Sequence, residues 1–361
     1  MTKTNREITK SAGEHTRPNS WVDVLSQDVL DQQLGFFETR VKHPAMDRLL
    51  DDLMPLLTPH SESNIILLVG ATGVGKSTLT RVLLKTLFER FSTLVQDDQT
   101  VIPLVAVEAY ANGDNRHGFA TLYEDMLDEL MEPGQEKKAY VEVRDGRMVN
   151  RPHARRTVPA LRKAVKQAVE LRKTRVCVID EAAHLMRFGK DTAVMDTLKS
   201  LSNTANVKWV LVGSFDLYDL VAEHGQIARR TAVLNLERYH LDDKEDCAAF
   251  KEVVRKLQAK WPCAEVPNFV AISDALLEVS LGCVGLLKSL MLDASAMQLR
   301  NGGKWDPIFL RKAVKANKLR ELIRKEIEAG EAKVRDALHG DCLWDEKTLA
   351  ELSRRMEPAN V

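Results

Sequence analysis

The chain has 361 residues, and its 52 lysines and arginines are balanced by 52 aspartates and glutamates, so the formal net charge is zero. This balance excludes a protein that binds polyanions simply because it is basic throughout. A hydrophobic fraction of 44% with only 6% aromatic residues favours a helix-rich globular fold over a β-sandwich or a disordered chain. The length exceeds what one hydrophobic core usually organises, so we expect a large domain and a smaller one.

The cysteines and the hydrophobic runs indicate a cytoplasmic location. The five cysteines are widely spaced and form no C-x-x-C pair, which argues against a disulfide framework and against a zinc site. The polar N-terminus lacks the apolar segment of a signal peptide. No apolar run reaches the roughly 18 residues that a membrane span requires. We therefore expect a soluble, cytoplasmic protein with no membrane partner.

The predicted elements begin after a polar N-terminal segment. Residues 1–20 lack hydrophobic periodicity, so we expect a flexible tail there. A helical pattern follows over Trp21–Leu57 and is broken near His43-Pro44. The continuous apolar run Asn64–Val69 predicts a strand that is covered on both faces. A helix comes next, and one of its faces carries Leu79, Val82, Leu83 and Leu87.

The rest of the chain divides into an α/β part and a helical part. Strands are predicted at Val101–Val107, Arg175–Ile179, Lys208–Val212 and Thr231–Leu236. Helices are predicted between them at Phe119–Met131, Val158–Leu171 and Thr192–Thr204. This alternation predicts a mainly parallel sheet covered on both sides. After Leu236 only helical patterns remain, at Cys247–Lys260, Asp274–Leu281, Val284–Leu299, Pro307–Ala316 and Lys318–Glu328. We place a domain boundary near Tyr239.

The strongest motif runs from Gly70 to Ser77 and matches the phosphate-loop pattern G-x-x-x-x-G-K-[ST] between a predicted strand and a predicted helix. Glycines in such a loop let backbone N–H groups surround phosphate oxygens at a helix N-terminus. We expect Lys76 to reach the β- and γ-phosphates of ATP and Ser77 to bind Mg²⁺. The predicted nucleotide-binding residues of this segment are Gly70, Thr72, Gly73, Val74, Gly75, Lys76, Ser77 and Thr78. The alternative is a chance glycine-rich turn.

A second motif is an apolar strand that ends in two carboxylates, Asp180 and Glu181. Asp180 is predicted to bind Mg²⁺ directly or through water, and Glu181 to activate a water as a general base. Acidic residues also end many strands that have no such role. Because this pair supplies the one part that a phosphate loop lacks, the two motifs together predict an ATPase.

Two weaker features follow in the chain. Ser214 comes just after the strand Lys208–Val212, at the strand end where ligands bind in open α/β sheets. Arg229 and Arg230 precede the last strand, where an arginine can reach the γ-phosphate of a neighbouring subunit. The alternatives are an ordinary serine at a strand end and a solvated or ion-paired pair of arginines.

The order of these parts over about residues 40–300 resembles the AAA+ ATPases. Within that group the chain looks like the TniB/TnsC-type regulators of DNA transposition. The closer resemblance depends on the helix at His43-Pro44, the stretch Gly225–Arg230 and the segment Gly282–Lys288. Lys288 falls near a lid position that usually holds a nucleotide-binding arginine, and lysine keeps the charge of arginine but not its planar fork.

The resemblance implies a fold and a division of the chain. The fold would be an α/β P-loop core with a five-stranded parallel sheet in the order 5-1-4-3-2, a small all-helical lid and a helical C-terminal extension. The implied regions are the tail 1–20, the nucleotide-binding core 21–239 with a basic hairpin near 140–157, the lid 240–317 and the extension 318–361.

The resemblance also implies a function. Relatives of this type form ATP-dependent rings or helical oligomers on double-stranded target DNA and link a target-selection protein to the transposase of a mobile element, with ATP hydrolysis driving disassembly. Other DNA-handling ATPases, such as helicase loaders and replication initiators, are the main alternative. No helix-turn-helix is evident after the lid, which counts against an initiator. A P-loop small-molecule kinase is a third possibility, although kinases rarely need the Asp-Glu pair or the paired arginines.

DNA binding by a neutral chain requires locally concentrated positive charge. Residues 137–157 have seven basic and two acidic residues, and the alternation around Asp145-Gly146 predicts a β-hairpin. Such a hairpin can track phosphates without reading bases, or it can be a solvated surface feature. The candidate DNA-binding residues are Lys138, Arg144, Arg147, Arg151, Arg155 and Arg156.

Residues 311–335 are also basic, but interleaved acids predict an exposed, self-paired helix. The acidic stretch Glu124–Glu136 is instead expected to meet a basic partner or a neighbouring subunit.

Overall fold

The described part of the protein covers most of the two predicted regions. The computed structural model describes residues 27–110, 118–132, 140–144, 147–151, 157–187, 207–222 and 228–339. The predicted tail 1–20, the predicted helix Thr192–Thr204 and the end of the predicted extension from residue 340 onward lie outside the described residues. Within those ranges, no helix is both long and apolar enough to cross a membrane.

The strands form one parallel sheet and one hairpin. They are β1 (Ile65–Gly70), β2 (Leu104–Glu108), β3 (Tyr140–Arg144), β4 (Arg147–Arg151), β5 (Val176–Asp180), β6 (Lys208–Gly213) and β7 (Thr231–Leu236). The sheet has the order β2-β5-β6-β1-β7, and all of its pairs are parallel. Numbered among the sheet strands alone and read from the β7 edge, this order is 5-1-4-3-2. The predicted fold class is therefore confirmed.

Helices connect the strands and make up the region after β7. The first five are α1 (Gln27–Glu38), α2 (Pro44–Leu56), α3 (Lys76–Asp97), α4 (Gly118–Glu129) and α5 (Val158–Leu171). The remainder are α6 (Asp219–Ala222), α7 (Lys244–Gln258), α8 (Ser273–Val279), α9 (Val284–Arg300), α10 (Ile308–Ala313) and α11 (Asn317–His339). Every residue of β1 and β6 is buried, as expected for strands in the middle of a doubly covered sheet. The proposed boundaries between core, lid and extension stay predictions.

Several predicted boundaries shift for identifiable reasons. The strand predicted from Val101 begins at Leu104, since Pro103 has no N–H group to donate to a ladder. The helix predicted from Cys247 begins at Lys244, because the side chain of Asp243 caps it by accepting hydrogen bonds from two backbone N–H groups. The last helix extends well past the predicted Glu328.

The two strands of the predicted hairpin pair as expected, whereas its predicted turn residues, Asp145 and Gly146, lie outside the described residues. β3 and β4 pair antiparallel, with Arg144 opposite Arg147. Arg151, the third candidate for DNA binding on these strands, lies opposite Tyr140. Lys138, Arg155 and Arg156 lie outside the described residues.

A buried lysine fixes the loop that leads into β1. Lys208, at the start of β6, is only 3% exposed. Its Nζ donates to the carbonyl oxygens of Ser61 and Ser63 at 2.7 and 3.0 Å and to Oδ1 of Asn64 at 3.3 Å. Burial lowers the pKa of this amine. Because β1 continues directly from this loop into the Gly70–Ser77 segment, Lys208 helps to set the position of that segment from the opposite end of the strand.

We expect the substitution Lys208→Met to lower the free energy of unfolding by about 3 kcal/mol, because it leaves partly buried oxygen acceptors without this donor. The matched control is Lys173→Met, which removes an exposed ion pair with Asp98 and should cost less than about 1 kcal/mol. Urea unfolding followed by circular dichroism measures both. Equal losses in the two variants would contradict a special role for Lys208.

Candidate functional site

The sheet brings three predicted site segments to one edge. In the parallel ladders Val69 lies beside Gly213, and Ile179 lies beside Leu211. Gly70 and Asp180 therefore end β1 and β5, and Ser214 follows β6, so all three lie at the carboxyl ends of neighbouring strands, which are about 4.8 Å apart. This is the edge where open parallel sheets bind ligands.

The backbone of the Gly70–Ser77 segment needs glycine at two positions. Gly73 and Gly75 have φ angles of +80° and +120°, which residues other than glycine rarely adopt. A Cβ atom on Gly75 would also lie 2.8 Å from Cε of Met46. The buried side chain of Val74 anchors the loop between them. The loop thus presents backbone N–H groups at the start of the long helix α3, a geometry suited to an anion.

Lys76 lies folded over its own loop. Its Nζ donates to the carbonyl oxygens of Gly70 at 2.9 Å and Ala71 at 3.0 Å. Burial lowers the pKa of this amine, while the nearby carboxylates of Glu181, Asp180 and Glu326 act in the opposite direction. The ammonium is therefore held at the mouth of the loop, close to where a phosphate would lie.

Asp180 ends β5 and Glu181 follows it, beside the phosphate loop. Burial raises the pKa of Asp180, and Glu181 adds to that rise, while hydrogen bonds and Lys76 oppose it. One of those bonds comes from the backbone N–H of Glu181, which donates to Oδ1 of Asp180 at 2.8 Å. Glu181 has a φ angle of +50°, a conformation that costs an L-residue about 1 kcal/mol or more. Strain of this kind at a strand end is typical of functional positions.

The oxygen atoms in this region suit a magnesium ion that is bound together with phosphate. Ser77 is exposed in the first turn of α3, and Asp180 is half-buried across the loop. Over the described ranges there is no group of three or more His, Cys, Asp or Glu side chains that would hold a metal on its own. Mg²⁺ commonly takes one or two protein oxygens and completes its shell with water and phosphate oxygens. Ser77 and Asp180 fit that pattern.

Ser214 stands on the wall of a cleft next to the phosphate loop. The residue follows β6 directly, and its Oγ donates to Oδ2 of Asp216 at 3.3 Å. The cleft has a volume of about 230 Å³ and is lined on the same side by Gly70, Ala71 and Thr72. A hydroxyl at this position can donate to a terminal phosphate that enters the cleft.

Comparison with known families identifies this region. Residues 60–221 match a family model described as an AAA domain. This segment is an AAA domain. The match spans the phosphate loop, the Asp180–Glu181 pair and Ser214, and ends before Arg229.

Solved structures share the fold of this AAA domain and of the helices after it. The ORC2 protein of Aeropyrum pernix in its ADP form matches with 16% identity and a TM-score of 0.50, over 78% of this chain and 72% of that chain. The ORC1 protein of Aeropyrum pernix in complex with DNA matches with 16% identity and a TM-score of 0.50, over 84% of this chain and 70% of that chain. No curated protein matches the sequence significantly. The structural likenesses establish an AAA+ fold.

Helix α9, in the predicted lid, contacts the phosphate loop of the AAA domain through backbone atoms. At the start of α9, Gly285 N donates to the carbonyl oxygen of Gly73 at 2.6 Å. Lys288, one turn further along, points elsewhere. Its Nζ donates to the carbonyl oxygens of Phe37 and Thr39, at 2.5 and 2.6 Å, near the end of α1. Burial, assisted by Arg40 and Arg81, lowers the pKa of Lys288 to about 8. These bonds would have to break before Lys288 could contact a nucleotide.

Arg229 and Arg230 lie at the opposite end of the parallel strands, where the strands begin. Both are exposed and precede β7, whose first residue pairs with Ile65 at the start of β1. The carbonyl oxygen of Arg230 accepts hydrogen bonds from the N–H groups of Asn64 and Ile65 at 3.0 and 3.1 Å. The length of a whole strand therefore separates the backbone of these arginines from the phosphate loop of the same subunit.

Two features of the site were not predicted from the sequence as parts of it. His43 is buried behind the loop, where its Nδ1 is 2.8 Å from the hydroxyl of Tyr239. Burial lowers the pKa of His43 to about 4, so the ring is neutral at pH 7. A histidine just before a helix-starting proline was the only available signal. The second feature is helix α11, whose residues Glu326 and Lys333 line the cleft beside Ser214.

Proposed function

We propose that the protein is a magnesium-dependent ATPase that assembles on DNA in its ATP-bound form and regulates DNA transposition. The observation that carries the ATPase part is the convergence of the phosphate loop, Asp180–Glu181 and Ser214 at one edge of the sheet. In this proposal the loop from Gly70 to Thr78 binds the phosphates. Lys76 leaves its carbonyl partners to contact the β- and γ-phosphates.

In this proposal the other side chains at the carboxyl ends of the strands have separate roles in ATP hydrolysis. Ser77 and Asp180 hold the metal, which neutralises charge on the phosphates. Glu181 accepts a proton from the attacking water, and Ser214 donates a hydrogen bond to the terminal phosphate and helps to orient it. The carboxylate of Glu181 suits this role because it follows the metal ligand directly and its strained backbone fixes its direction at the strand end.

Arg229 or Arg230 would complete the site of a neighbouring subunit. Their position at the far edge of the sheet prevents them from serving their own phosphate loop. Their exposure leaves them accessible to a second copy that presents its nucleotide to this edge. An arginine supplied in this way stabilises charge that develops on the transferred phosphoryl group.

The DNA part of the proposal has two supports. One is the resemblance of the His43-Pro44, Gly225–Arg230 and Gly282–Lys288 segments to the TniB/TnsC-type regulators, which link target selection to a transposase. The other is the basic hairpin β3–β4, whose candidate residues include Arg144, Arg147 and Arg151. Several hairpins in one ring or helical oligomer would place many positive charges along a DNA backbone, although each chain is neutral overall.

A replication initiator or helicase loader is the second candidate. It is favoured by the likeness to the ORC1 protein of Aeropyrum pernix, which was solved in complex with DNA. A cytoplasmic location is proposed for either function. Sequence preference separates them, because an initiator would select an origin sequence whereas a transposition regulator of this kind would contact phosphates without reading bases.

Substitutions at the phosphate loop and at the proposed base should separate binding from hydrolysis. Lys76→Ala should abolish ATP binding, whereas Glu181→Gln should retain ATP and lower the turnover number by about 100-fold or more, since water activation is lost. Nucleotide binding by fluorescence and phosphate release measure the two properties. Normal hydrolysis by Glu181→Gln would show that the base is another group. Phosphate release without any acceptor other than water would exclude a small-molecule kinase.

Mixing two inactive variants tests the arginines. Arg229→Ala or Arg230→Ala should bind ATP but fail to hydrolyse it, because the neighbouring site lacks its cation. Addition of Lys76→Ala subunits, which have intact arginines but no nucleotide, should restore part of the phosphate release. If neither mixture recovers activity although mixed oligomers form, the arginines do not act between subunits.

Assembly on DNA tests the wider function. With ATP and duplex DNA, the wild-type protein should form rings or filaments visible by electron microscopy, and Glu181→Gln should hold them longer because hydrolysis no longer drives disassembly. Binding should weaken steeply with salt and show little dependence on sequence. A protein that stays monomeric on DNA with ATP would contradict the proposal, and strong preference for one sequence would favour the initiator.

A further inference from the structure

Helix α11 forms one wall of the cleft at the phosphate loop. The cleft of about 230 Å³ has Gly70, Thr72 and Ser214 on the side of the AAA domain and Glu326, Gly330 and Lys333 on the side of α11. The proposed function places Ser214 next to the terminal phosphate and assigns Gly70 and Thr72 to the loop that binds the phosphates. Helix α11 therefore lines the cavity that the proposed function assigns to the terminal phosphate.

Close contacts fix α11 in this position. Gly330 lies so near Phe215, in the turn after β6, that a Cβ atom on it would be 2.1 Å from the ring. The guanidinium of Arg238 donates two hydrogen bonds to the Glu331 carboxylate, at 2.8 and 3.1 Å, in a half-buried, bidentate pair. Ile327 and Val334 are buried on the same side of the helix. One face of α11 is thus packed against the site. Among the described residues, the predicted pairing within the helix is confirmed only at Glu321 and Arg324, whereas Glu331 and Lys333 pair with residues of other elements.

The two charged side chains of α11 in the cleft differ in how they are held. Lys333 donates to Oδ2 of Asp219 at 2.8 Å, and both partners are substantially exposed, at 44% and 38%. Ion pairs with this exposure are weakly held. Glu326 lies close enough to Lys76 to raise the pKa of its amine. A cation in an exposed ion pair and a carboxylate therefore both line the cleft beside the phosphate loop.

We propose that Lys333 binds the γ-phosphate of ATP in the same subunit by exchanging the Asp219 carboxylate for a phosphate oxygen. The inference deepens the proposed function and rests on it, since it requires ATP in the phosphate loop. It gives the site a cation from the C-terminal helix, whereas the lid lysine, Lys288, is bonded to the end of α1. Glu326 repels the same phosphate. The charges of α11 therefore change the affinity for ATP more than the affinity for ADP, which has no γ-phosphate.

Paired substitutions separate phosphate binding from simple anchoring of the helix. Lys333→Ala and Asp219→Asn both break the same ion pair, but only the first removes the cation. Affinities are measured by fluorescence with Mg²⁺ and either ADP or a non-hydrolysable ATP analogue. Lys333→Ala should weaken binding of the analogue about tenfold, as expected for loss of a charged hydrogen bond, and change that of ADP less than about twofold.

The companion variants should behave differently. Asp219→Asn should leave binding of the ATP analogue unchanged or strengthen it, since Lys333 becomes free. Glu326→Gln should strengthen it, because a repulsive charge is removed. Lys325→Ala, on the exposed side of the same helix, is the matched control and should change neither affinity. Thermal unfolding confirms that each variant is folded.

Two outcomes overturn the inference alone. One is an equal loss of affinity for ADP and the ATP analogue in Lys333→Ala, and the other is a parallel loss in Lys333→Ala and Asp219→Asn. Either result would make Lys333 an anchor for α11 only. A wild-type protein that binds neither nucleotide would instead overturn the proposed function, and the inference with it.

Discussion

The parallel pairing of β5, β6 and β1 determines where the proposed catalytic groups lie. The three strands run in one direction, so their carboxyl ends share an edge, and their register places Gly70, Asp180 and Ser214 there. The same register sends Arg230 to the other edge through the pairing of β7 with β1. Because β1 and β6 are buried at every residue, apolar burial holds the strands in place. The strand pairing that forms the sheet therefore also separates two sites: the proposed nucleotide site lies at the carboxyl ends of the strands, and the arginines proposed to contact a neighbouring subunit lie at the amino ends.

Local sequence was sufficient for the parts of the site that local rules control. The Gly70–Ser77 segment and Asp180–Glu181 were predictable because a loop for phosphate needs glycine, and a metal needs oxygen, at positions close in the chain. The hairpin around Asp145-Gly146 was predictable because its turn residues and its alternation lie within a few positions. The strand order was implied by resemblance, since parallel neighbours are joined by long crossovers that local patterns do not specify.

The parts that could not be predicted depend on contacts between distant residues. Nothing around Gly330 in the sequence indicates that Phe215 packs against it, and the alternation of acidic and basic residues in α11 suggested pairing within the helix. The structure instead pairs Glu331 with Arg238 and Lys333 with Asp219. The resemblance similarly placed Lys288 near a lid position that contacts nucleotide, but carbonyl groups at the end of α1 hold its amine. Tertiary hydrogen-bond partners decided both cases.

The balance of charge around the cleft links the nucleotide to the metal and to neighbouring subunits. Lys76 lies near the carboxylates of Asp180, Glu181 and Glu326, and Lys333 lines the adjoining cleft together with Glu326, so the site has more acidic than basic groups. A triphosphate adds further negative charge in a partly buried space, where repulsion is stronger than in water. A Mg²⁺ ion held by Asp180, as proposed, would offset part of it, and an arginine from a second copy would offset more. A site with this imbalance has a physical reason to couple ATP binding to assembly, because the charges that it lacks come from the metal and from the next subunit.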